Sequence, residues 1–525
     1  MALFWPEKWC IIVCAMSKTL NGNGNGHGVS ALAQKLAAKK PATPPNATTA
    51  DAKASQVTFR NTDNEKSEGV LNHFTRRAAT FELYGEARAL RVSEVLTDFR
   101  IHARGNIIYS GRAVVLNLVD NAIGFICEVD LDETHWTADS NLLSAMLVEG
   151  GVESEFQKFE REWQKLYVIS PEFKVIVADI ETYLHDLQLW LDQVESKISM
   201  AGDKQAAGLE KQLAKKIGAI TSPKLTAMFE KFEAALRRVE PGSLAVYRAY
   251  ARRMLHPLLM GSPFLHRTFH KPLGYAGDYE MVNMLSRDPF EGKTLFAKIV
   301  NLWFWEQPPA EAHRNRLIYL AKLINTEALR LMPADRSLRV FNFACGPALE
   351  IQNFLRDSAA SVCNRVAFTL ADFNGETLEH IKDSAEAIKT RRGLKTAFAY
   401  QKKSVPQLLK DNERARKSPG DREHVYDLVY CAGLFDYLSD RTCKEMMNVF
   451  YDFLAPGGLL VATNVDSSNP RIPTMDQVMD WHLIYRNVNE FLDLRPDDSL
   501  LENCRVKADA TGVNIFLEVR KSDHG

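Results

Sequence analysis

From Leu338 onward the chain alternates short apolar runs with amphipathic stretches, and this alternation constrains its fold more than any other feature. RVFNFA, VAFTLAD, TAFAY, YDLVYCA, GLLVATNV and VNIFLEVR are apolar runs, while LEIQNFL and KEMMNVFYDFL between them carry helical periodicity. Strands buried on both faces and separated by helices require a mostly parallel sheet covered on both sides. An α/β, Rossmann-like core is therefore predicted over residues 335–525.

Upstream the pattern changes twice. VLTDFRIHA, IIYSGRAVVLNLV and AIGFICEVDL, punctuated by glycines, read as the strands of a small β-barrel over residues 78–148. From Glu153 the periodicity is helical, with Phe156, Phe159, Trp163 and Leu166 on one face, then Ile176, Ile180, Tyr183, Leu184 and Leu187 on the next. Ser170-Pro171 and Ser222-Pro223 each place a hydroxyl cap before a proline, so helices are expected to start there. The polar run 201–218 reads as a loop or an exposed helix. Residues 1–75 include NGNGNGHG and KKPATPPNATTADAKAS, too poor in large apolar groups to offset chain entropy, and are expected to be disordered. The expected organisation is thus 1–75 without structure, 78–148 barrel, 150–260 helical, and 261–525 a cap followed by the α/β core.

With 65 Lys and Arg against 66 Asp and Glu, the net charge of -1 gives no basis for a general grip on nucleic acid. The 8 cysteines form no C-x-x-C pair and sit in mostly apolar stretches, which reads as reduced, buried thiols of a cytoplasmic protein and no metal site. MALFWPEKWCIIVCA is too short to span a bilayer and is broken by Pro6, Glu7 and Lys8. Met16 opens a more usual start, so residues 1–15 read as a mis-assigned translation start, an expectation that an intact mass retaining Met1 would remove.

The chemistry concentrates where strands end. RVFNFA breaks into Cys345-Gly346-Pro347 before a helix, where a glycine permits close approach of a ligand and the helix start presents free N–H groups. VAFTLAD ends in Asp372, at the strand tip where a doubly wound sheet binds ribose hydroxyls. DLVYCAGLFDYLSD and FLAPGGLLVATNV follow as the fourth and fifth strand regions. In this order the segments resemble class I S-adenosylmethionine (SAM)-dependent methyltransferases, with Ala348 standing where that family often has glycine. The resemblance implies methyl transfer, SAM as cofactor, an antiparallel final strand near VNIFLEVR, and cofactor contacts from Ala344, Gly346, Asp372, Phe373, Ser404, Val405, Cys431 and Gly433. NAD, the rival ligand of such a sheet, would want a G-x-G-x-x-G turn for its pyrophosphate, and that turn is absent.

HKPLGYAGDYEMVNML, HRNRLIYL and MDWHLIYRNVNEF are similar to segments of bacterial methyltransferases assigned to biosynthesis of 3-hydroxypalmitic acid methyl ester, a quorum-sensing signal. That resemblance implies a fatty acid carboxylate as acceptor. Physically, GYAGDYE would cap the cofactor, with Tyr275, Tyr279, Asp278 or Glu280 meeting its amine or hydroxyls and Arg314 or Arg316 its carboxylate. Acid–base or clamping candidates are Asp436, Tyr437, Asp480, His482, Tyr485 and Arg486, with His482 the best base by intrinsic pKa and Arg486 the best clamp for an acyl carboxylate. Trp481, Leu483, Ile484 and Phe491 alternatively make a buried helix face.

The barrel faintly resembles a PilZ domain, which would bind cyclic di-GMP through an arginine motif matched by Arg88 and Arg91; the alternative is a degenerate barrel that serves as a docking module. Val119 departs from the serine of that family's second motif. Three readings stand: methylation of a small acyl acceptor, methylation of another metabolite or a protein side chain, and a non-catalytic nucleotide-sensing module. A homodimer through the helical region is compatible with each.

Overall fold

The computed structural model describes residues 56–75, 77–84, 90–103, 106–120, 124–132, 135–136, 151–165, 169–198, 203–417 and 425–523. The chain divides into two units. The first contributes the helix Gly151–Lys165, on which Phe156 is exposed; the side chains of Phe159 and Trp163, and Leu166 itself, lie outside the described residues. All else concerns the second unit, residues 54–136 and 165–525.

Six antiparallel strands, β1 (Gln56–Arg60), β2 (Lys66–Phe74), β3 (Ala78–Tyr84), β4 (Val95–Ala103), β5 (Asn106–Asp120) and β6 (Gly124–Leu131), close a barrel in the order β1-β2-β3-β6-β5-β4. Alternation turns Val57, Phe59, Phe81, Phe99, Ile101, Val115 and Val129 inward to fill it. The barrel thus begins within the stretch expected to be disordered. QVTFR offers only two large apolar residues and β2 is polar on its outer face, so composition reads as unstructured while the two-residue period supplies the inward side. Residues 1–55 and 137–148 lie outside the described residues.

The helix Pro171–Ile198 starts where the sequence predicts, with Ser170 Oγ accepting from the Phe173 amide at 3.2 Å. Ser222-Pro223 does not start one. A single helix, Asp203–Leu236, runs through it, and the polar run is its first half from Asp203 onward. Burial of Leu225, Phe229 and Phe232 just past Pro223 outweighs the backbone bond the proline forfeits. No boundary falls near residue 260. The buried faces of the helices 171–198, 203–236 and 244–259 share one core with those of 263–270, 279–286 and 295–305 and with Met475, Val478 and Met479.

The sheet contains β7 (Leu338–Phe343), β8 (Val366–Asp372), β9 (Ala397–Lys402), β10 (Tyr426–Cys431), β11 (Leu454–Val465), β12 (Cys504–Ala508) and β13 (Asn514–Arg520), ordered β12-β13-β11-β10-β7-β8-β9. The strands β7 to β11 run parallel, and β13 inserts antiparallel beside β11, as expected for VNIFLEVR. Winding reverses between β7 and β10, so a crevice opens beyond their carboxyl ends, the place where such sheets bind ligands. Among the described residues no helix is long and apolar enough to cross a membrane. The six described cysteines are free thiols, five of them buried.

The sheet core depends on large buried rings. Phe341, 2% exposed, packs its ring 5.2 Å from Tyr426 and 5.6 Å from Phe453. Phe341→Ala should cost about 3–5 kcal/mol in chemical denaturation; a loss below about 1 kcal/mol would contradict this packing.

Candidate functional site

A cavity of about 190 Å³ lies over the switch point. Its floor is three strand-end loops: Ala344–Leu349 after β7, Asp372 and Phe373 at the end of β8, and Ala432–Leu434 with Asp436 and Tyr437 after β10. Ala344, Gly346 and Ala348 adopt φ of 56°, 52° and 45°, alternating with ordinary residues. Such alternation turns successive N–H groups toward one concavity. A side chain at Gly346 would project into open space, so the glycine keeps that hollow clear. Asp372 is buried; its carboxylate accepts from the Gly346 amide at 3.1 Å and the Asn374 amide at 2.9 Å. Burial pushes its pKa up, opposed by those N–H groups and by Arg91.

Arg316 crosses the floor from the helix Pro308–Leu331. Gly433 has φ 94°, and a Cβ there would stand 2.9 Å from the Arg316 guanidinium, so only glycine allows the arginine to lie so close. Burial lowers the pKa of Arg316, while Asp436, Glu350 and Tyr437 support its charge. Its Nη2 donates to His313 Nδ1 at 2.8 Å. A guanidinium can only donate, so Nδ1 is an acceptor and the proton of the neutral ring resides on Nε2. Burial, then Arg316 and Arg314, hold His313 well below the usual histidine range and therefore neutral. Neither Arg316 Nε nor His313 Nε2 has a hydrogen-bond partner among the described residues, and both residues line the cavity. Buried donors without acceptors are costly.

Asp436 lines the same floor and accepts from the Val465 amide at 2.6 Å. Burial pushes its carboxyl up to about 6, against the Val465 N–H, Arg316 and Arg486. Above the floor the walls turn apolar: Phe264, Met281, Leu285, Phe304, Met479 and Leu483 are among them. No described residue of 153–260 lines the cavity, but that region buttresses it. Thr226 accepts from Trp303 Nε1 at 3.0 Å, and buried Glu233 accepts from Arg471 at 2.7 Å and Thr474 at 2.6 Å.

Of the sequence-predicted cofactor residues, Tyr275, Arg316, Ala344, Gly346, Asp372, Phe373, Ser404, Val405 and Gly433 come together at this cavity. Asp278, Arg314 and Cys431 do not line it. Asp278 caps the helix Tyr279–Ser286 and pairs with Arg267 at 2.8 Å. Arg314 stacks 3.5 Å from the Trp305 ring and donates to that residue's carbonyl. Cys431 is buried in the sheet core. Glu280 accepts from Asn283 and Arg287.

Of the predicted catalytic set, Asp436 lines the cavity, whereas His482, Tyr485 and Arg486 do not. His482 is held between Asp480 at 3.2 Å and Asp476 at 3.5 Å. Burial alone would lower its pKa, but the two carboxylates outweigh burial and raise it. Arg486, 2% exposed, spends its donors on Asp440, the Phe435 and Leu438 carbonyls and Asn464, which fixes the loop carrying Asp436. Tyr485, half-buried, donates to Asp476 at 3.5 Å. Asp480 is fixed by Lys271 at 2.8 Å and Arg252 at 2.9 Å. Residues 480–487 form no helix, and Trp481 and Leu483 face the cavity.

His313, Glu350 and Asn514 also line the cavity and carry no role in the sequence reading; Arg91, which the sequence assigns to a cyclic di-GMP motif of the barrel, lines it as well. HRNRLIYL and RALR contained two of them, but which side chain of each motif turns inward depends on tertiary packing. Arg88 lies outside the described residues, and Val119 is exposed on β5.

The sequence matches no protein-family model and no curated protein. Among solved structures it is similar to a possible exported protein from Bordetella parapertussis, at 16% identity over 67% of this chain and 99% of that one, with TM-score 0.36. It is also similar to magnesium protoporphyrin IX methyltransferase from Synechocystis with bound SAH, at 8% identity over 40% of this chain and 85% of that one, with TM-score 0.28. A third is the N-methyltransferase NodS from Bradyrhizobium japonicum, at 12% identity over 39% of this chain and 97% of that one, with TM-score 0.25.

A carboxyl whose pKa rises on folding contributes stability below its unfolded pKa and loses it as pH climbs through the folded value. For Asp436 the window runs from the usual 3.8 to about 6. Asp436→Asn removes this loss, so its stability relative to wild type should improve by up to about 3 kcal/mol between pH 4 and pH 8. Unfolding titrations showing the same difference at both pH values would contradict the assignment.

Proposed function

We propose that the chain is a SAM-dependent methyltransferase acting on a small, apolar acyl acceptor, the carboxylate of a 3-hydroxy fatty acid being the best candidate. The observation that carries the reading is the continuity of the cavity, which joins a polar, strand-end floor to an apolar chamber above it. The doubly wound strand order with its antiparallel final strand, and the cluster of class I motif residues around the floor, support the same fold family.

The residues present fit the cofactor. Gly346 leaves its hollow open, Asp372 retains acceptor capacity for ribose hydroxyls, and Arg316 has an unspent donor for a carboxylate. When bound, SAM supplies a methyl group made electrophilic by its sulfonium. The protein must then align an acceptor and keep water away. Met281, Leu285, Phe304 and Leu483 exclude water and hold a hydrocarbon. His313 Nε2–H, a donor rather than a base, orients an acceptor oxygen. A carboxylate acceptor needs no base; a hydroxyl acceptor would give its proton to Asp436.

Calorimetry with SAH should show binding that Asp372→Ala weakens about tenfold or more, the scale of a lost hydrogen bond to a charged group. Purified protein with SAM and 3-hydroxy fatty acids should yield methyl esters by mass spectrometry, with long chains favoured over short ones. Heat from SAH with turnover of only a polar metabolite or a protein side chain would end the acyl proposal. No heat from SAH would end the methyltransferase reading and favour a non-catalytic module.

A further inference from the structure

We infer that the barrel is part of the cofactor pocket, with Arg91 as the residue it contributes to the nucleoside. This deepens the reading above and rests on it. Arg91 is 7% exposed and lines the cavity. Its guanidinium carbon lies 4.2 Å from the centroid of the Phe373 ring, the residue following Asp372. Tyr275 meets the same ring edge-on at 5.2 Å. Three planar groups from three parts of the chain thus converge beside the strand-end acid. No hydrogen bond leaves the Arg91 guanidinium among the described residues, although its backbone is fully engaged.

That engagement is extensive. Buried Glu94 accepts from the Arg91 amide at 2.9 Å and from the Thr62 amide and hydroxyl at 2.9 Å and 2.6 Å, which ties the segment to the barrel. Outward, the Val92 amide donates to the Tyr437 carbonyl, the Val95 amide to the Gly274 carbonyl at 2.6 Å, and Ser93 Oγ accepts from the His482 amide at 2.7 Å. The segment 91–95 is therefore fastened to the cap, to the loop after β10 and to the segment after β11. A backbone held this firmly, presenting a nearly buried cation with unspent donors to a cavity, is built to meet ligand acceptors. One guanidinium face is covered by Phe373, and the N–H edge suits the ring nitrogens of a purine or the oxygens of a ribose. The same contacts link cofactor binding to barrel docking, because a ligand that touches both must stabilise their association.

The test uses the full chain and SAH. Arg91→Ala should weaken SAH binding about tenfold or more, and Arg91→Lys, which keeps the charge and loses the planar fork, should fall between. In the wild type, SAH should slow amide hydrogen exchange at Val92 and Val95, a readout that does not depend on the variants folding. A wild type that binds no SAH overturns this assignment together with the reading beneath it. SAH bound equally by wild type and Arg91→Ala, with unaltered exchange at Val92 and Val95, overturns this assignment alone. A raised acceptor KM with unchanged SAH affinity also overturns it, by moving Arg91 to the acceptor.

Discussion

Burying the Arg316 guanidinium across the mouth of a parallel sheet is the costly interaction around which the rest of the site is arranged. A cation that deep persists only with compensating charge and acceptors nearby. Asp436 and Glu350 supply the charge. Glu350 is itself kept in place by Tyr430 at 2.8 Å and Asn342 at 3.1 Å, both on sheet strands. Gly433 leaves the room, and His313 takes one donor. What remains is a guanidinium with an unsatisfied Nε beside a cavity. Within the protein alone this arrangement is incomplete; on the proposed function, the carboxylate of the cofactor would complete it.

The apolar chamber is held in shape by a second set of buried ion pairs. Arg471 and Thr474 are tied to Glu233 on the long helix, and Asp480 is tied to Lys271 and Arg252. Arg486 braces the loop after β10 from behind. Asp480 shows how the balance falls: burial would raise its pKa, yet Lys271 and Arg252 outweigh burial and hold it well below the carboxylate range. These pairs fix the irregular segment 478–487 as a wall, so that Met479, Trp481 and Leu483 face the cavity without the support of a helix. His482 and Arg486, acid–base or clamping candidates in the sequence, are engaged in such contacts and do not line the cavity.

The parallel sheet was legible because fully buried strands leave continuous apolar runs, and the strand-end loops because glycines and polar residues interrupt those runs. The barrel's first two strands were not, since a two-residue period over five residues is lost among polar neighbours. Pro223 misled because a proline's local cost can be outweighed by packing that only the tertiary structure reveals. For His482 and Arg486, intrinsic pKa and shape identify capable groups, but not that a carboxylate and a carbonyl already engage them. Arg91 shows the converse, an arginine whose guanidinium rests on a ring, Phe373, far away in the sequence.

The central claim is that the crevice over β7, β8 and β10 holds an adenosyl sulfonium. A crystal structure of the full chain grown with SAH tests it most directly. Density is expected for the nucleoside over Gly346 and against Phe373, with ribose oxygens on Asp372 and a carboxylate on Arg316. A crevice filled by the protein's own side chains, or SAH bound elsewhere, would contradict it.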